Sequence, residues 1–346
     1  MRLIFDLGHP AHYHLYKNAI KHLKSKGDDI LIIVRNREDI VARLIERDGE
    51  EYTLLGINAR GMMRKAVYMV RNDAKLLRIA SKFKPDLFVS MGSPYSAHVS
   101  FLMRRPHLSF ADTEISTLVW FLLIPFTQTM IMPTSFGLNA YFRRVVRVNS
   151  YKELAYLHPN YFKPKPEILS ELGIRRDEKF AIIRFSAFDS SHDLGLKGLK
   201  NEERNKLALE ISKAATVIVS SEVKLDPEIE RFNVKMDQTK MHDLLSYATL
   251  YVGEGAVMAS EASLLGVSSI FINPSKRGYL EDLERNGLLL QYHNPNEQIG
   301  EIITKSKEIL KDPESRIRQG ERRKNLLEIR EDLTAKIIEE IERFRV

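Results

Sequence analysis

Short aliphatic runs alternate with amphipathic stretches along the first half of the chain, and that alternation sets the first expectation. Arg2 to Leu7 reads as a strand, and the segment after it carries Leu15, Ala19, Ile20 and Leu23 on one helical face before Gly27 stops it. Ile30 to Val34 is a continuous aliphatic run of the kind buried on both faces of a parallel sheet. Glu38 to Arg47 is helical and Tyr52 to Leu55 strand-like. A long helix over Lys65 to Lys82 leads through Pro85 to a strand at Asp86 to Ser90. Ser96 to Met103 then reads as helix, and His107 to Phe110 and Met130 to Met132 as short strands. Such alternation predicts a right-handed, doubly wound parallel sheet.

Around Asn149 the rhythm breaks into a proline-bearing stretch ending at Pro166, which predicts a linker over 150–166 after an N-terminal domain at 1–149. The cycle then restarts with strands at Phe180 to Phe185, Thr216 to Val219, Leu250 to Val252 and Ser269 to Asn273. Helices lie at Glu202 to Ala215 and Met241 to Tyr247. A second Rossmann-like domain is expected over 167–325. Charged amphipathic helices close the chain from Glu297 to Phe344, the last stretch, 326–346, being free to pack back on the first domain. The fold expected is α/β: two doubly wound Rossmann-like domains whose strand carboxyl ends face a cleft, where ligands of such sheets bind.

Composition narrows the function classes. A chain of 346 residues exceeds one ordinary core, while 44% apolar and 29% charged residues suit a soluble globular protein. With no cysteine, neither a disulfide framework nor a thiolate metal site is available, and a cytoplasmic setting fits. Met1 runs directly into the first strand without the pattern of a secretory signal. The net charge of +7 invites a nucleic-acid reading, but 53 Lys and Arg are interspersed with 46 Asp and Glu and no nucleic-acid-binding motif accompanies them. Phosphorylated small molecules or anionic lipid headgroups suit such a surface as well. The apolar run Leu118 to Phe126 spans nine residues and contains Pro125, whereas a membrane-spanning helix needs about twenty. It reads as a buried helix leading to a buried strand, with a patch that touches a bilayer as the alternative.

Candidate chemistry sits in strand-to-helix loops. Leu250-Tyr-Val-Gly-Glu-Gly255 runs from a strand into a small-residue helix that Gly266 stops. Glycines permit close backbone approach, and the N–H groups and positive dipole end of the helix favour a diphosphate. Glu261, two turns along, is placed to accept from ribose hydroxyls. By spacing alone, Gly253 and Gly255 could equally serve only a tight turn. Arg184, ending the first strand of the second domain, offers a bidentate fork to a phosphate or a structural salt bridge. Gly253, Glu254, Gly255, Ala256, Ser260 and Glu261 with Arg184 form the expected diphosphate- and ribose-binding site.

In the first domain, Gly8-His-Pro-Ala-His-Tyr-His14 follows the first strand. His9 or His12 is the expected general base, unless these side chains cap the next helix or pack locally. The spacings do not bring the three imidazoles to one helix face, so no metal is expected, nor a cofactor. Asp112 and Glu114, in the loop after His107 to Phe110, could orient the base or bind hydroxyls, with helix capping as the alternative. Gly8, His14, Gly92, Ser93 and Tyr95 complete the expected ligand contacts of this domain, an acceptor site if the chain transfers a group. His192, Asp193, Lys276, Arg277 and Asp282 lie on later loops without a ranked role.

The segment carrying Ser260-Glu261 resembles the donor-binding segment of GT-B glycosyltransferases, especially the peptidoglycan N-acetylglucosaminyltransferase, whose small-residue helix carries a Ser-Glu pair that holds ribose. It is also similar to the non-hydrolysing UDP-N-acetylglucosamine 2-epimerases. There this chain departs: Ser93 stands where they have aspartate, Asp112 or Glu114 near their glutamate, and Arg184-Phe-Ser-Ala-Phe-Asp189 in place of a His-Arg-Arg-Glu run. Nearly end to end, the chain resembles the largely archaeal family known as domain of unknown function 354. The marks are Asp6-Leu-Gly-His-Pro-Ala-His-Tyr-His14, Gly92-Ser-Pro-Tyr95, Asp112-Thr-Glu114, Tyr151-Lys-Glu-Leu-Ala-Tyr-Leu157 and Glu254-Gly255. The resemblance implies a GT-B, metal-independent glycosyltransferase with a nucleotide-diphosphate-sugar donor, UDP being the expected nucleotide. Its acceptor is unidentified, with a lipid-linked one and peripheral membrane contact conceivable. A sugar-nucleotide epimerase or hydrolase, or a non-catalytic binder, is the alternative.

Overall fold

The computed structural model describes residues 1–35, 40–56, 62–112, 117–137, 142–187 and 198–345. They form two compact units, one of Met1–Tyr161 with Glu331–Val346 and one of Phe162–Arg330.

The first unit runs β1 (Arg2–Leu7), α1 (Pro10–Ser25), β2 (Asp29–Val34), α2 (Ile40–Arg47), β3 (Thr53–Leu54), α3 (Met62–Phe83), β4 (Leu87–Ser90), α4 (Pro94–Leu102), β5 (His107–Phe110), α5 (Thr117–Leu123), β6 (Thr129–Pro133), β7 (Arg144–Val148) and α6 (Leu154–Leu157). Its parallel sheet has the order β3-β2-β1-β4-β5-β6-β7. The aliphatic strands are buried on both faces, as a sheet covered by helices requires. The expected face of α1 is buried, and Gly27, at φ +86, sits in the left-handed turn that ends it.

Three features depart from the sequence reading. β7 was not anticipated, because its Arg-Val-Val-Arg-Val pattern puts charge on an edge strand. Arg147 is satisfied there by the carbonyls of Pro133 and Phe136, and Arg144 by Glu340. Second, the stretch expected as linker opens with buried residues, Tyr151–Leu157, because α6 packs on α1. Asn18 Nδ2 donates to the Ala155 carbonyl at 2.7 Å, so the chain there belongs to the core. Third, the apolar run is amphipathic. Leu123 is buried with Met130, Met132 and Phe136, whereas Phe121 is 72% exposed. No helix among the described residues is long and apolar enough to cross a membrane.

The second unit contains α7 (Glu167–Glu171), β8 (Phe180–Phe185), α8 (Asn201–Ser212), β9 (Thr216–Ser221), α9 (Pro227–Glu230), α10 (Met241–Tyr247), β10 (Leu250–Gly253), α11 (Ala256–Leu264), β11 (Ser268–Ile272), α12 (Gly278–Arg285), β12 (Leu289–Tyr292), α13 (Ile299–Lys311) and α14 (Ser315–Glu328). Its parallel sheet has the order β12-β11-β10-β8-β9. Asp282 lies within α12, not in a loop, and is tied to Arg330 at 2.5 Å. The chain then returns to the first unit as α15 (Leu333–Glu342), packed on α1 and α6, with Arg345 bonded to buried Asp28 at 2.7 Å.

Candidate functional site

Strand order reverses next to β1 in the first sheet and next to β8 in the second, and the carboxyl ends of strands at such switch points are where doubly wound sheets bind ligands. In the second unit this place lies between the ends of β8 and β10. Gly253 pairs with Arg184 in register. A Cβ on Gly253 would stand 2.4 Å from the Tyr251 hydroxyl and 2.9 Å from Arg184 Cβ. The glycine therefore makes room for the buried Tyr251 side chain, whose hydroxyl reaches the Gly255 carbonyl at 3.2 Å. At Gly255 the same test meets only ordinary contacts of 3.6 Å and beyond.

Gly255 is the N-cap of α11 and has no side chain to cap it. The first intrahelical partner of Gly255 O is Ala259 N, at 3.0 Å, and the N–H groups of Ala256, Val257 and Met258 have no acceptor among the described residues. These groups and the dipole make an open anion-binding terminus. In the second turn, the largely buried Glu261 carboxylate meets His242 Nε2 at 2.9 Å.

Two residues expected to touch a nucleotide, Glu254 and Arg184, have partners within the protein. Glu254 is 1% exposed, and its two oxygens accept from Ser186 N at 2.8 Å and Leu199 N at 2.7 Å, with Arg204 at 3.7 Å. It holds the described ends of the segment between β8 and α8, and its carboxyl pKa is raised because burial outweighs these bonds. Arg184 donates to Ser220 Oγ at 2.5 Å and to Glu222, the salt bridge that its sequence position left open. Ser260 is fully buried in α11, and Ala256 opens that helix.

In the first unit the matching place lies between the ends of β1 and β4. Asp6 is fully buried, and its Oδ2 accepts from Ser93 Oγ and, at 2.9 Å, from Ser96 Oγ. Ser93, expected among the acceptor contacts, is buried and donates to Asp6. Beneath it runs a polar chain. Thr127 Oγ1 meets His107 Nδ1 at 2.9 Å, His107 Nε2 meets Ser90 Oγ at 2.9 Å, and Ser90 Oγ accepts from Ser93 N at 3.2 Å. Ser109 Oγ accepts from Gly92 N at 2.9 Å, where Gly92 takes a left-handed φ of +66. Arg35, at the end of β2, stacks over the Tyr95 ring, its Cζ 5.1 Å from the centroid.

The histidines divide by role. His9 caps α1, its Nδ1 accepting from Ala11 N at 3.2 Å. His12 Nδ1 accepts from Gly8 N at 3.3 Å. A backbone N–H can only donate, so each neutral ring carries its proton on Nε2 and presents a donor. Burial holds the His12 pKa well below the ordinary histidine range, with the charges of His9, Arg35 and Lys152 adding to it. His14 is buried and stacks on Tyr156 at 4.9 Å. Asp112 is buried and paired with Lys152 Nζ at 2.6 Å, with Glu153 3.5 Å from the same ammonium. Glu114, His192 and Asp193 lie outside the described residues.

A family model described as "Protein of unknown function (DUF354)" matches residues 1–344. The chain belongs to this family. No curated protein matches the DUF354 chain. Among solved structures, spinosyn forosaminyltransferase SpnP is similar at 15% identity and TM-score 0.67, with 99% of this chain and 98% of that chain covered. The UDP-GlcNAc 2-epimerase of Neisseria meningitidis, with UDP-GlcNAc bound, gives 12% identity and TM-score 0.66, covering 98% and 99%. MurG of Acinetobacter baumannii gives 12% identity and TM-score 0.58 over 99% of both chains. The DUF354 chain thus has the GT-B fold, shared by transferases and an epimerase.

Folding brings to these sites several side chains that the sequence reading passed over: His242, Ser186 and Glu222 in the second unit, Asp6, Arg35 and Lys152 in the first. Asp6 and Lys152 stand in family-marked segments, which was a signal. His242 had none, since only the packing of α10 beside α11 puts it against a carboxylate nineteen positions on.

Proposed function

We propose that the protein is a glycosyltransferase that binds a nucleotide-diphosphate sugar on the second unit and an acceptor on the first. The observation that carries this reading is the open terminus of α11: three N–H groups without an acceptor among the described residues, just past the turn that follows β10, with Glu261 one turn further along the helix. A diphosphate accepts from those groups, and Glu261, oriented by His242, accepts from the ribose hydroxyls. The fold shared with nucleotide-sugar enzymes supports it. No metal enters this reading, because the helix terminus supplies the positive potential.

On the first unit the acceptor lies against His12, whose Nε2–H donates to an oxygen of the acceptor or the sugar. The expectation of a histidine general base is revised here, because the lone pair on Nδ1 faces Gly8 N. Asp112 belongs to the scaffold that Lys152 holds in place beside it.

Incubation with UDP-, GDP- and CMP-sugars tests the reaction class. Nucleotide release only when an acceptor is added supports transfer, a new sugar isomer makes the protein an epimerase, and saturable binding without turnover removes both enzymes. For the donor site, Glu261→Ala should weaken UDP binding about 10- to 100-fold, the loss of hydrogen bonds to a charged acceptor. Calorimetry that finds unchanged affinity rules out the ribose role.

A further inference from the structure

The guanidinium of Arg35 is held in an unusual place. β1 and β2 pair so that Leu7 faces Val34, which sets Gly8 beside Arg35 just past the strand ends. A Cβ on Gly8 would stand 2.5 Å from Arg35 Cζ, so the guanidinium lies on the bare glycine backbone. The Tyr95 ring faces it at 5.1 Å. Packed against both, the planar group is held in orientation.

Among the described residues no hydrogen bond takes its donors. The nearest carboxylate oxygen among them, Asp6 Oδ1, is 4.0 Å from the guanidinium, beyond hydrogen-bond distance, and Asp6 Oδ2 is already taken by Ser93 and Ser96. Arg35 Nε and Asp6 Oδ1 are both buried without a hydrogen-bond partner among the described residues. A simple structural ion pair would close that gap. Asp6 is fully buried and out of a ligand's reach, whereas the Arg35 side chain keeps 16% exposure beside half-buried Gly8, His12 and Tyr95. The terminus of α1 does not compete for an anion, since His9 caps it and Pro10 has no N–H.

We propose that Arg35, cradled by Gly8 and Tyr95, is an oxyanion-binding subsite, and that the acceptor carries a phosphate or carboxylate group that the guanidinium fork grips. The subsite stands on the first unit's geometry alone, while its assignment to the acceptor rests on the transfer reading. A planar fork with unengaged donors fits either oxyanion, and an ammonium does not replace it.

The test follows the arginine Nε–Hε signals of the full chain, labelled with nitrogen-15 in arginine, during titration with inorganic phosphate or acetate. One signal, absent from Arg35→Lys, should shift saturably. A stronger response to phosphate points to a phosphorylated acceptor, and an equal response to acetate to a carboxylated one. Gly8→Ala keeps the charge but displaces the guanidinium, and should weaken the response about tenfold or more, the scale of charged hydrogen bonds. Saturating UDP should leave the response intact. The proposal fails if the Arg35 signal is unmoved, if it drifts in step with the other arginines without saturation, or if Gly8→Ala responds like the wild type. Abolition by UDP would overturn the acceptor assignment. Failure of the donor reading appears elsewhere, as unmoved amide signals of Gly255 to Met258 when UDP is added.

Discussion

Lowering the pH from 6.5 to 4 should take roughly 3 kcal/mol from the stability of the first unit through one side chain, His107. The ring is fully buried, and burial pushes its pKa from 6.5 down to about 3, with His98 adding to the shift. Both ring nitrogens are hydrogen bonded to hydroxyls, Ser90 and Thr127, which accommodate the neutral ring by turning their protons. The unfolded chain takes up a proton as pH falls below 6.5 while the folded one does not, so the unfolded state gains with each unit of acid. The loss begins at pH 6.5 and is complete only below about pH 3, where it reaches about 5 kcal/mol. Hydrogen exchange at β1 and β4, compared between wild type and His107→Gln, isolates this residue, because the other titrating groups are common to both. The variant should be less stable at neutral pH yet lose roughly 3 kcal/mol less by pH 4. Parallel pH curves would contradict the assignment.

The polar chain through His107 also shows where sequence reading stops. β1, β5, β8 and α10 were anticipated with the bounds they have, because runs such as Phe-Ala-Ile-Ile-Arg-Phe are buried on both faces and have no other use. β7 was missed because its arginines are satisfied by partners that no local pattern contains, Arg144 by the Glu340 carboxylate and Arg147 by carbonyls from outside the strand. β12 was missed although Leu288 and Leu289 mark it, because it completes the far edge of the sheet after α12, a helix that the loop reading of Asp282 had excluded.

At the sites, position was legible and engagement was not. Among the described residues, Gly8, His9, Gly92, Ser93, Asp112, Arg184 and Gly253 to Gly255 do stand at or just past strand ends, since motif and turn chemistry fix the loops, whereas Asp282 lies within a helix. Whether a polar side chain there faces a ligand or the protein depends on what other loops bring. Glu254 finds two backbone N–H groups from the segment after β8, and Ser93 finds Asp6, eighty-seven positions earlier. Such a pairing turns a candidate ligand contact into a support.

Replacing His12 by Leu should lower turnover about 10² to 10³, the loss of one donor to a developing charge, whereas His12→Gln should recover most of it. The distinction comes from the Gly8 N–H. With Nδ1 accepting from it at 3.3 Å, Nε2 bears the proton, and the glutamine amide nitrogen can stand where Nε2 stands. A base would behave otherwise: glutamine cannot accept a proton, and both variants would fall together, by about 10² to 10⁴. The pH dependence separates the roles a second time. A base loses activity as it is protonated, giving an acid limb at the His12 pKa, which lies below the ordinary histidine range. A donor keeps its Nε2–H in both states, so kcat/KM should show no limb removed by His12→Gln. Nucleotide affinity measured alongside should stay unchanged in both variants, since His12 belongs to the first unit and α11 to the second. Rates for His12→Gln as low as those for His12→Leu, with an acid limb in the wild type that vanishes in the variant, would return the residue to the role of base.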